Sequence, residues 1–398
     1  MPVVNIENVE EIKFSKEELE RYSRHLIIPE FNIEGQKKLK AARVLVIGTG
    51  GLGTPLLLYL TAAGVGNIGI VDFDVVDTSN LQRQVLFTTQ DVGRPKVEAA
   101  RERLSALNPF VNFEIFNLKL DSSNALDLIS KYDVIADGTD NFPTRYLVND
   151  ATVLAGKVNV FASIFRFEGQ ASVFNYKFPD GSRGPNYRDL FPTPPPPGLV
   201  PSCAEGGVLG VLPGILGSIQ ANEVIKVITG VGEPLAGRLF QFDASEFKTR
   251  IFKLTKDPDN PLTGTNPTQK ELIDYEYFCN INNHASIEEK NGKEQEITVT
   301  QLNDWILTGK KFQLIDVREP YEFDIVNLGG MLIPKNEILN HLAALNPETD
   351  IVIHCRSGRR SHDVIRLLHQ HTNLKKLYNL KGGILAWVDE IDPSLPKY

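Results

Sequence analysis

At 398 residues, 42% hydrophobic and 23% charged, the chain is long enough for two domains, each with its own core, and has the composition of an ordinary globular protein. A formal net charge of −8 and a pI near 5.5 speak against nucleic acid as the main partner. Three cysteines, Cys203, Cys279 and Cys355, are too few for a disulfide framework and fit a reducing cytoplasm, and the N-terminal run with Glu7, Glu10, Glu11 and Lys13 has no apolar signal core.

Residues 14–42 read as helical, with Leu19, Tyr22, Leu26 and Ile27 at helical spacing. The apolar run Arg43–Ile47 predicts a buried strand. It leads at once into the loop Gly48-Thr49-Gly50-Gly51-Leu52-Gly53, after which Leu56, Leu57, Leu60 and Ala63 predict a helix stopping at Gly64. A second strand, 68–71, delivers Asp72 and Asp74 to its carboxyl end, and further strands are predicted over 112–116, 133–136 and 158–161. This alternation predicts an α/β fold with a doubly wound, Rossmann-like, mostly parallel sheet. The proline-rich stretch 186–201 reads as a stiff surface crossover. The apolar window 208–228 is interrupted by Pro213, Gln220, Asn222, Glu223 and Lys226, so it reads as a buried loop and helix. A polar segment, 256–291, is expected to link a first domain, 1–255, to a small α/β domain, 292–398. That second domain has predicted strands at 312–316 and 351–353 and helices near Leu302, Leu339 and Val364.

A G-x-G-x-x-G loop opening a helix is suited to phosphate, yet NAD and FAD enzymes carry it too, and Asp72 stands where a ribose-binding acid would. The surrounding residues favour a triphosphate. Asn80-Leu81-Gln82-Arg83-Gln84 and Gly93-Arg94-Pro95-Lys96 bring cations just past the second strand, and Asp137-Gly138-Thr139-Asp140-Asn141 closes the fourth with carboxylates. Cations neutralise a triphosphate and a strand-end carboxylate can hold magnesium, whereas a nicotinamide site needs neither. Asp74 reads equally well as a loop residue, and Arg94 and Arg101 as solvated charges.

The ordered set Arg21-Tyr22-Ser23-Arg24, Gly48 to Gly53, Asn80 to Gln84, Lys96, Asp137 to Asn141, Ser163 to Gln170 and Ser202 to Gly210 resembles the MoeB/ThiF/HesA branch of the ubiquitin-activating-type adenylyltransferases, across residues 14–255. The resemblance implies ATP and Mg2+. It places Gly48, Gly50, Gly51, Gly53, Asp72, Asp74 and Asn80 at the nucleotide, with Asp72 on the ribose. Arg83 and Lys96 would bind phosphates and stabilise the charge that develops as pyrophosphate leaves. Asp140 would hold magnesium, and Arg24 would reach into the other subunit's site in a homodimer. The implied substrate is a ubiquitin-like sulfur-carrier protein ending in Gly-Gly, whose terminal carboxylate attacks the α-phosphorus of ATP. The family's two C-x-x-C zinc pairs are replaced by Asn186-Tyr187-Arg188-Asp189 and Asn260-Pro261-Leu262-Thr263, so no zinc is expected.

The stretch His354-Cys355-Arg356-Ser357-Gly358-Arg359-Arg360-Ser361 follows a predicted strand and precedes a helical pattern. Cys355 is therefore expected at a helix N-terminus among N–H groups and arginines, a setting that stabilises a thiolate and binds an anion. With Asp316 to Phe323 and Leu380 to Trp387, it resembles a rhodanese sulfurtransferase. That likeness implies a persulfide on Cys355, held by a loop of Arg356, Ser357, Gly358, Arg359 and Arg360. A cysteine phosphatase places five residues between its cysteine and its arginine. Here that arginine position is Ser361, with Arg360 one earlier, and the tighter loop favours sulfur. Leu328-Gly329-Gly330-Met331 departs from the family's Ile-Pro-Gly-Ala bend, and His354 and Cys279 read as structural. Related enzymes place a cysteine near Cys203 that forms a thioester or acyl disulfide with the carrier, though Cys203 could instead simply be packed.

The whole chain thus reads as a fused adenylyltransferase and sulfurtransferase, cytoplasmic and homodimeric, fed by a donor such as a cysteine desulfurase, with no nucleic-acid or membrane partner. The carrier could serve molybdopterin, thiamin, tRNA thiolation or cysteine synthesis. The competing readings are a rhodanese-like module that only docks partners, adenylation of a ubiquitin-like protein for conjugation, and a Rossmann oxidoreductase.

Overall fold

Val44, Leu45, Val46 and Ile47 are all buried because strand β1 (Arg43–Ile47) has a parallel neighbour on each side and apolar packing on both faces. The computed structural model describes residues 9–195, 206–284 and 295–398, and the chain divides into two compact units, Met1–Glu288 and Glu289–Tyr398.

In the first unit β1 is joined by β2 (Asn67–Val71), β3 (Asn112–Phe116), β4 (Val134–Asp137), β5 (Val158–Phe165), β6 (Glu168–Phe174), β7 (Arg238–Asp243) and β8 (Lys248–Lys253). The sheet order is β3-β2-β1-β4-β5-β6-β7-β8, parallel through β5 and antiparallel beyond it. The order reverses between β1 and β4, so the loops leaving these two strands diverge and open a crevice at their carboxyl ends. The exposed edge strand β8 carries Lys248, Arg250 and Lys253, charges that discourage edge pairing.

The helices of this unit are α1 (Lys16–Arg21), α2 (Ser23–Leu26), α3 (Asn32–Ala41), α4 (Gly53–Ala63), α5 (Lys96–Leu107), α6 (Ala125–Ser130), α7 (Phe142–Leu154), α8 (Tyr187–Leu190), α9 (Val211–Thr229) and α10 (Tyr275–His284). The expected N-terminal helix is thus three short ones, interrupted at Tyr22 and around Pro29. The Tyr22 hydroxyl accepts a hydrogen bond from Asn108 Nδ2 at 2.9 Å, which ties the first break to the core. Helix α9 is the one described helix long and apolar enough to cross a bilayer, and it is a core element here. Its Leu216, Val224 and Ile228 are buried in the larger apolar cluster of this unit, and Gly217 allows backbone contact with α4, since a Cβ would lie 2.6 Å from the Leu52 carbonyl.

Two expectations need correction. The proline-rich crossover does not begin at the surface: Asn186, Tyr187 and Arg188 are buried, and α8 packs beneath α7. Arg188 forms a bidentate pair with the fully buried Asp150 (2.7 and 2.9 Å), which also accepts from the Tyr275 hydroxyl and Gln269, both at 2.8 Å. The segment expected as a linker is part of the first unit through His284, with Asn260, Leu262 and Tyr275 buried. Its physical anchor is a cluster of short polar side chains at the four positions where the resembled family has thiolates. Asn186 Nδ2 donates to Thr263 Oγ1 (3.0 Å), and Asn260 Nδ2 to Asp189 Oδ1 (2.8 Å). Asp189 also accepts from the Asn186 and Asp257 N–H groups (2.7 and 2.8 Å).

The second unit is an all-parallel sheet ordered β11-β10-β12-β13-β9. Its strands are β9 (Gln295–Ile297), β10 (Phe312–Asp316), β11 (Met331–Leu332), β12 (Asp350–His354) and β13 (Leu377–Leu380). Its helices are α11 (Val299–Leu307), α12 (Pro320–Ile325), α13 (Arg359–His371) and α14 (Gly383–Glu390). The helix expected near Leu339 is a 3-10 stretch, Lys335–Ala344, kinked at His341. The unusual Leu328-Gly329-Gly330-Met331 bend has a local reason: Gly329 has φ +76°, and a Cβ on Gly330 would meet the Leu314 carbonyl at 2.8 Å.

Substituting Arg188→Met leaves the Asp150 carboxylate buried without its cation and is expected to destabilise the first unit by about 3 kcal/mol. Adding Asp150→Asn should restore part of that loss. Both tryptophans, Trp305 and Trp387, belong to the second unit, so comparing circular dichroism with tryptophan fluorescence during unfolding separates the two units. A fluorescence transition that moves as far as the dichroism one would contradict the assignment.

Candidate functional site

The crevice at the β1/β4 switch point is a cavity of about 210 Å³, lined from the loops after β1, β2 and β4. Gly48, Gly50, Gly51, Asp72, Asp74, Asn80, Arg83, Lys96 and Asp140 all line it; Gly53 and Arg24 do not. The glycines divide the work. Gly48 (φ +91°), Gly53 and Gly138 let backbones touch, whereas a Cβ on Gly50 would meet nothing within 4 Å. Gly50 therefore leaves open space in which a phosphate could approach the backbone.

Asp72 organises the loop. Its Oδ2 accepts from the Thr49 N–H (2.7 Å) and hydroxyl (2.6 Å), and its Oδ1 from the Asp74 N–H (2.9 Å). Lys96, the first residue of α5, is buried, and its ammonium donates to Asp74 Oδ2 at 3.0 Å. The Asp74 carboxylate thereby fixes the direction of that ammonium. Arg83 is half-buried and held by the Ser79 carbonyl (3.0 Å), and the Asn80 amide oxygen accepts from the Asp77 N–H (3.2 Å). Asp140 is exposed, with no hydrogen bond or ion pair among the described residues. Arg24 lies exposed on α2, away from the cavity of its own chain.

Beneath this lining, Asp137 is fully buried. Its Oδ1 accepts from the Thr139 N–H (2.9 Å) and hydroxyl (2.6 Å), and its Oδ2 has no hydrogen-bond partner. Burial pushes its carboxyl above the usual range, and the Arg145 cation opposes that push. Arg145 and Lys119 also line the cavity, although the motifs gave no reason to single them out. Lys119 pairs at the surface with Glu276 (2.9 Å). Cys203 lies outside the described residues. Cys279 is half-buried against the aromatic core of the first unit, and burial pushes its thiol up to about 12, as suits a packing residue.

In the second unit β12 delivers Cys355 into the loop that starts α13, and the residue is completely buried. The Gly358 N–H points at the sulfur (3.1 Å), and the Ser361 hydroxyl, also bonded to Asn379 Oδ1 (2.6 Å), stands 3.5 Å from it. Gly358 sits at φ +90°, which turns the chain tightly enough for that N–H to reach back. Arg360 spends its charge on Glu322, donating through both terminal nitrogens at 2.6 Å. Arg356 Nε donates to the Tyr398 main-chain oxygen (2.7 Å), while Ser357 and Arg359 are exposed. Burial alone would raise the Glu322 carboxyl, but Arg360 holds it below the usual range. Glu322, Ser361 and Tyr398 complete the loop's surroundings and received no role from the sequence. The fully buried Asp316–Arg318 pair supports the base of the loop.

The comparisons with known proteins agree with this division. Residues 22–262 match the ThiF family and 298–390 the rhodanese-like domain. Over 387 residues, 96% of both chains, the sequence is 52% identical to the Mycobacterium tuberculosis protein named "Probable adenylyltransferase/sulfurtransferase MoeZ". It is 54% identical to a Thermus thermophilus sulfur carrier protein adenylyltransferase, over 68% of this chain and 100% of that one. It is 40% identical to the Anopheles gambiae adenylyltransferase and sulfurtransferase MOCS3, over 97% and 90%. Among solved structures, Escherichia coli MccB with MccA-N7isoASN shares the fold, at TM-score 0.55 and 23% identity over 63% of this chain and 76% of that one.

His354, beside the reactive loop, is fully buried 3.7 Å from Asp316 Oδ2, and neither ring nitrogen finds a hydrogen-bond partner. Burial depresses its pKa from 6.5 to about 4, so the folded unit keeps it neutral. The unfolded chain then binds the extra proton between those values, and the associated stability is present above pH 6.5 and lost as pH falls towards 4. Lowering the pH from 7 to 5 is expected to cost the second unit about 2 kcal/mol through this residue. In urea titrations followed by tryptophan fluorescence, His354→Leu should flatten the dependence; an unchanged slope would contradict the assignment.

Proposed function

This chain belongs to the ThiF family, joins it to a rhodanese-like domain and is a bifunctional adenylyltransferase and sulfurtransferase; from that premise we propose that it activates the C-terminal glycine of a ubiquitin-like sulfur-carrier protein and converts it to a thiocarboxylate. The observation that carries the reading is the cleft: open space at Gly50, two cations held in place at Arg83 and Lys96, and a carboxylate, Asp140, outside any hydrogen bond or ion pair among the described residues. The name of the Thermus thermophilus relative supports the choice of substrate.

ATP would lie with its phosphates over Gly48 to Gly53 and its ribose near Asp72. The carrier carboxylate attacks the α-phosphorus, and Arg83 and Lys96 offset the charge gathering on the departing pyrophosphate. The donor set suits magnesium, because one unengaged carboxylate beside a triphosphate is how such sites hold it. Asp140 would be its protein ligand, and the ion would add further neutralisation of phosphate charge. Among the described residues no group of three or more His, Cys, Asp or Glu is placed to hold a metal alone, which fits a site completed by the nucleotide.

Sulfur would come from a persulfide on Cys355, loaded by a donor such as a cysteine desulfurase. Its outer sulfur attacks the acyl-adenylate carbonyl, AMP leaves, and an acyl disulfide results. A second thiol then breaks the S–S bond, releasing the thiocarboxylate and leaving a disulfide, and Cys203 is the chain's own candidate for an acyl intermediate with the carrier. Arg24, exposed and outside its own chain's cavity, fits a role in the other subunit's cleft of a homodimer. We place the enzyme in the cytoplasm.

Carrier-dependent ATP–pyrophosphate exchange tests the first half, with a panel of Gly-Gly-ending carriers. Lys96→Met and Asp140→Asn should each lower kcat/KM about 100-fold or more, roughly 3 kcal/mol of transition-state stabilisation. Cys355→Ala should retain exchange while mass spectrometry finds no thiocarboxylate. Absence of exchange with every carrier would refute the proposal, and full thiocarboxylate formation by Cys355→Ala would reduce the second unit to a docking module.

A further inference from the structure

The turn from Asp137 to Asn141 is fixed at every residue that could hold it, except the one with chemistry to do. The Thr139 N–H and hydroxyl go to Asp137 Oδ1 (2.9 and 2.6 Å), and the Thr139 carbonyl accepts from Arg145 Nη2 at 2.9 Å. Asn141 caps α7, accepting the Thr144 N–H at 2.9 Å. Between these pins the Asp140 carboxylate is left outside the turn's hydrogen bonds, facing the cavity.

Arg145 is only 8% exposed, an uncommon state for a cation on a helix that could have faced water. Its guanidinium lies over the Phe161 ring, 5.3 Å from the centroid, and interacts with the buried Asp137 carboxylate and with the Tyr187 phenol. Tyr187 is itself wedged against Tyr146 and Phe161, with centroids at 5.1 and 5.5 Å. Its N–H is fixed by Asn149 Oδ1 (2.8 Å), next to the Asn186–Asp189–Asn260–Thr263 cluster. A continuous set of polar contacts therefore runs from the root of the crossover to the acid turn.

We infer that Arg145 is a positioning residue for nucleotide activation: it holds the Thr139 carbonyl so that Asp140 is presented to a divalent cation on the nucleotide, and Tyr187 sets the direction of its guanidinium. This rests on the proposal that Asp140 is the protein's ligand for that cation. Arg145 acts through the turn, so its loss should weaken the cation far more than the nucleotide.

Binding measurements on the full chain separate these effects. The cation probe is Mn2+, titrated by electron paramagnetic resonance in the presence of a saturating ATP analogue with a methylene bridge between its α- and β-phosphates. Affinity for the same analogue is measured separately in EDTA. Arg145→Met should raise the Kd for Mn2+ about tenfold or more while metal-free nucleotide affinity stays within about twofold. Arg145→Lys, which keeps a donor, should recover part of the loss, and Tyr187→Phe should show a smaller loss of the same kind. In exchange assays the Arg145 variants should need more Mg2+ but regain most of kcat when it is supplied. Unchanged Mn2+ affinity in Arg145→Met, or equal loss of nucleotide in EDTA, would overturn the inference. If Asp140→Asn binds Mn2+ as well as the unaltered protein, the Asp140 assignment is itself wrong and the inference falls with it.

Discussion

Gly48, Gly53 and Gly138 bring three backbone segments into direct contact, and the nucleotide cleft exists because they do. A Cβ on Gly53 would stand 1.9 Å from the Gly48 carbonyl oxygen, and one on Gly138 would stand 3.2 Å from that same oxygen. A side chain at Gly53 would collide with the loop's own Gly48 carbonyl, and one at Gly48 or Gly138 would crowd the contact between the loop after β1 and the turn after β4. Without side chains, the two lock into one rigid object that carries Gly50 on one lip and Asp140 on the other. Gln220, from α9, ties the same region from below, donating at 2.8 Å to the carbonyls of Asp137 and Val160. Preorganisation of this kind matters because charge stabilisation works only if the stabilising groups need not rearrange as charge develops.

Much of this is legible in the amino-acid sequence. The strands Arg43–Ile47 and Asn112–Phe116, the glycine loop, the stop at Gly64 and the cations at Arg83 and Lys96 are local signals: periodicity, a turn residue, a short motif. Arg145, Tyr187, Ser361 and Tyr398 left no comparable mark. Arg145 looks like an ordinary helix-surface cation until α7 is seen to turn it inward over Phe161. The crossover misled for the same reason. Its prolines are conspicuous, whereas burial of Asn186 and Arg188 depends on partners at Thr263 and Asp150, 77 and 38 residues away. Sequence separation of that size hides pairing.

The cluster at Asn186, Asp189, Asn260 and Thr263 shows how short polar side chains can anchor two distant segments. Each hydrogen bond contributes only about 1 kcal/mol net, far less than a structural metal. Its strength lies in the penalty for breaking it, because Asp189 gathers three donors that are otherwise left unpaired in a largely buried place. Such a cluster holds geometry without needing metal supply, and it leaves the neighbouring Asp150–Arg188 pair as the main charged anchor of the crossover root.

The two reactive centres solve opposite electrostatic problems. A triphosphate carries several full negative charges, and on the proposed reading the first unit would meet them with Lys96 and Arg83, whose directions are set by Asp74 and by the Ser79 carbonyl. A persulfide carries a single diffuse charge and must be released after it is held. Around Cys355 two of the nearby cations are paired with carboxylates, Arg360 with Glu322 and Arg318 with Asp316. What is directed at the sulfur is the Gly358 N–H, while the Ser361 hydroxyl, 3.5 Å away, gives its proton to Asn379 Oδ1. Fixed dipoles at a helix start stabilise an anion without forming a tight ion pair with it. A free guanidinium in their place would hold the sulfur more firmly and slow its departure, so neutralising Arg360 with Glu322 suits transfer better than it suits storage.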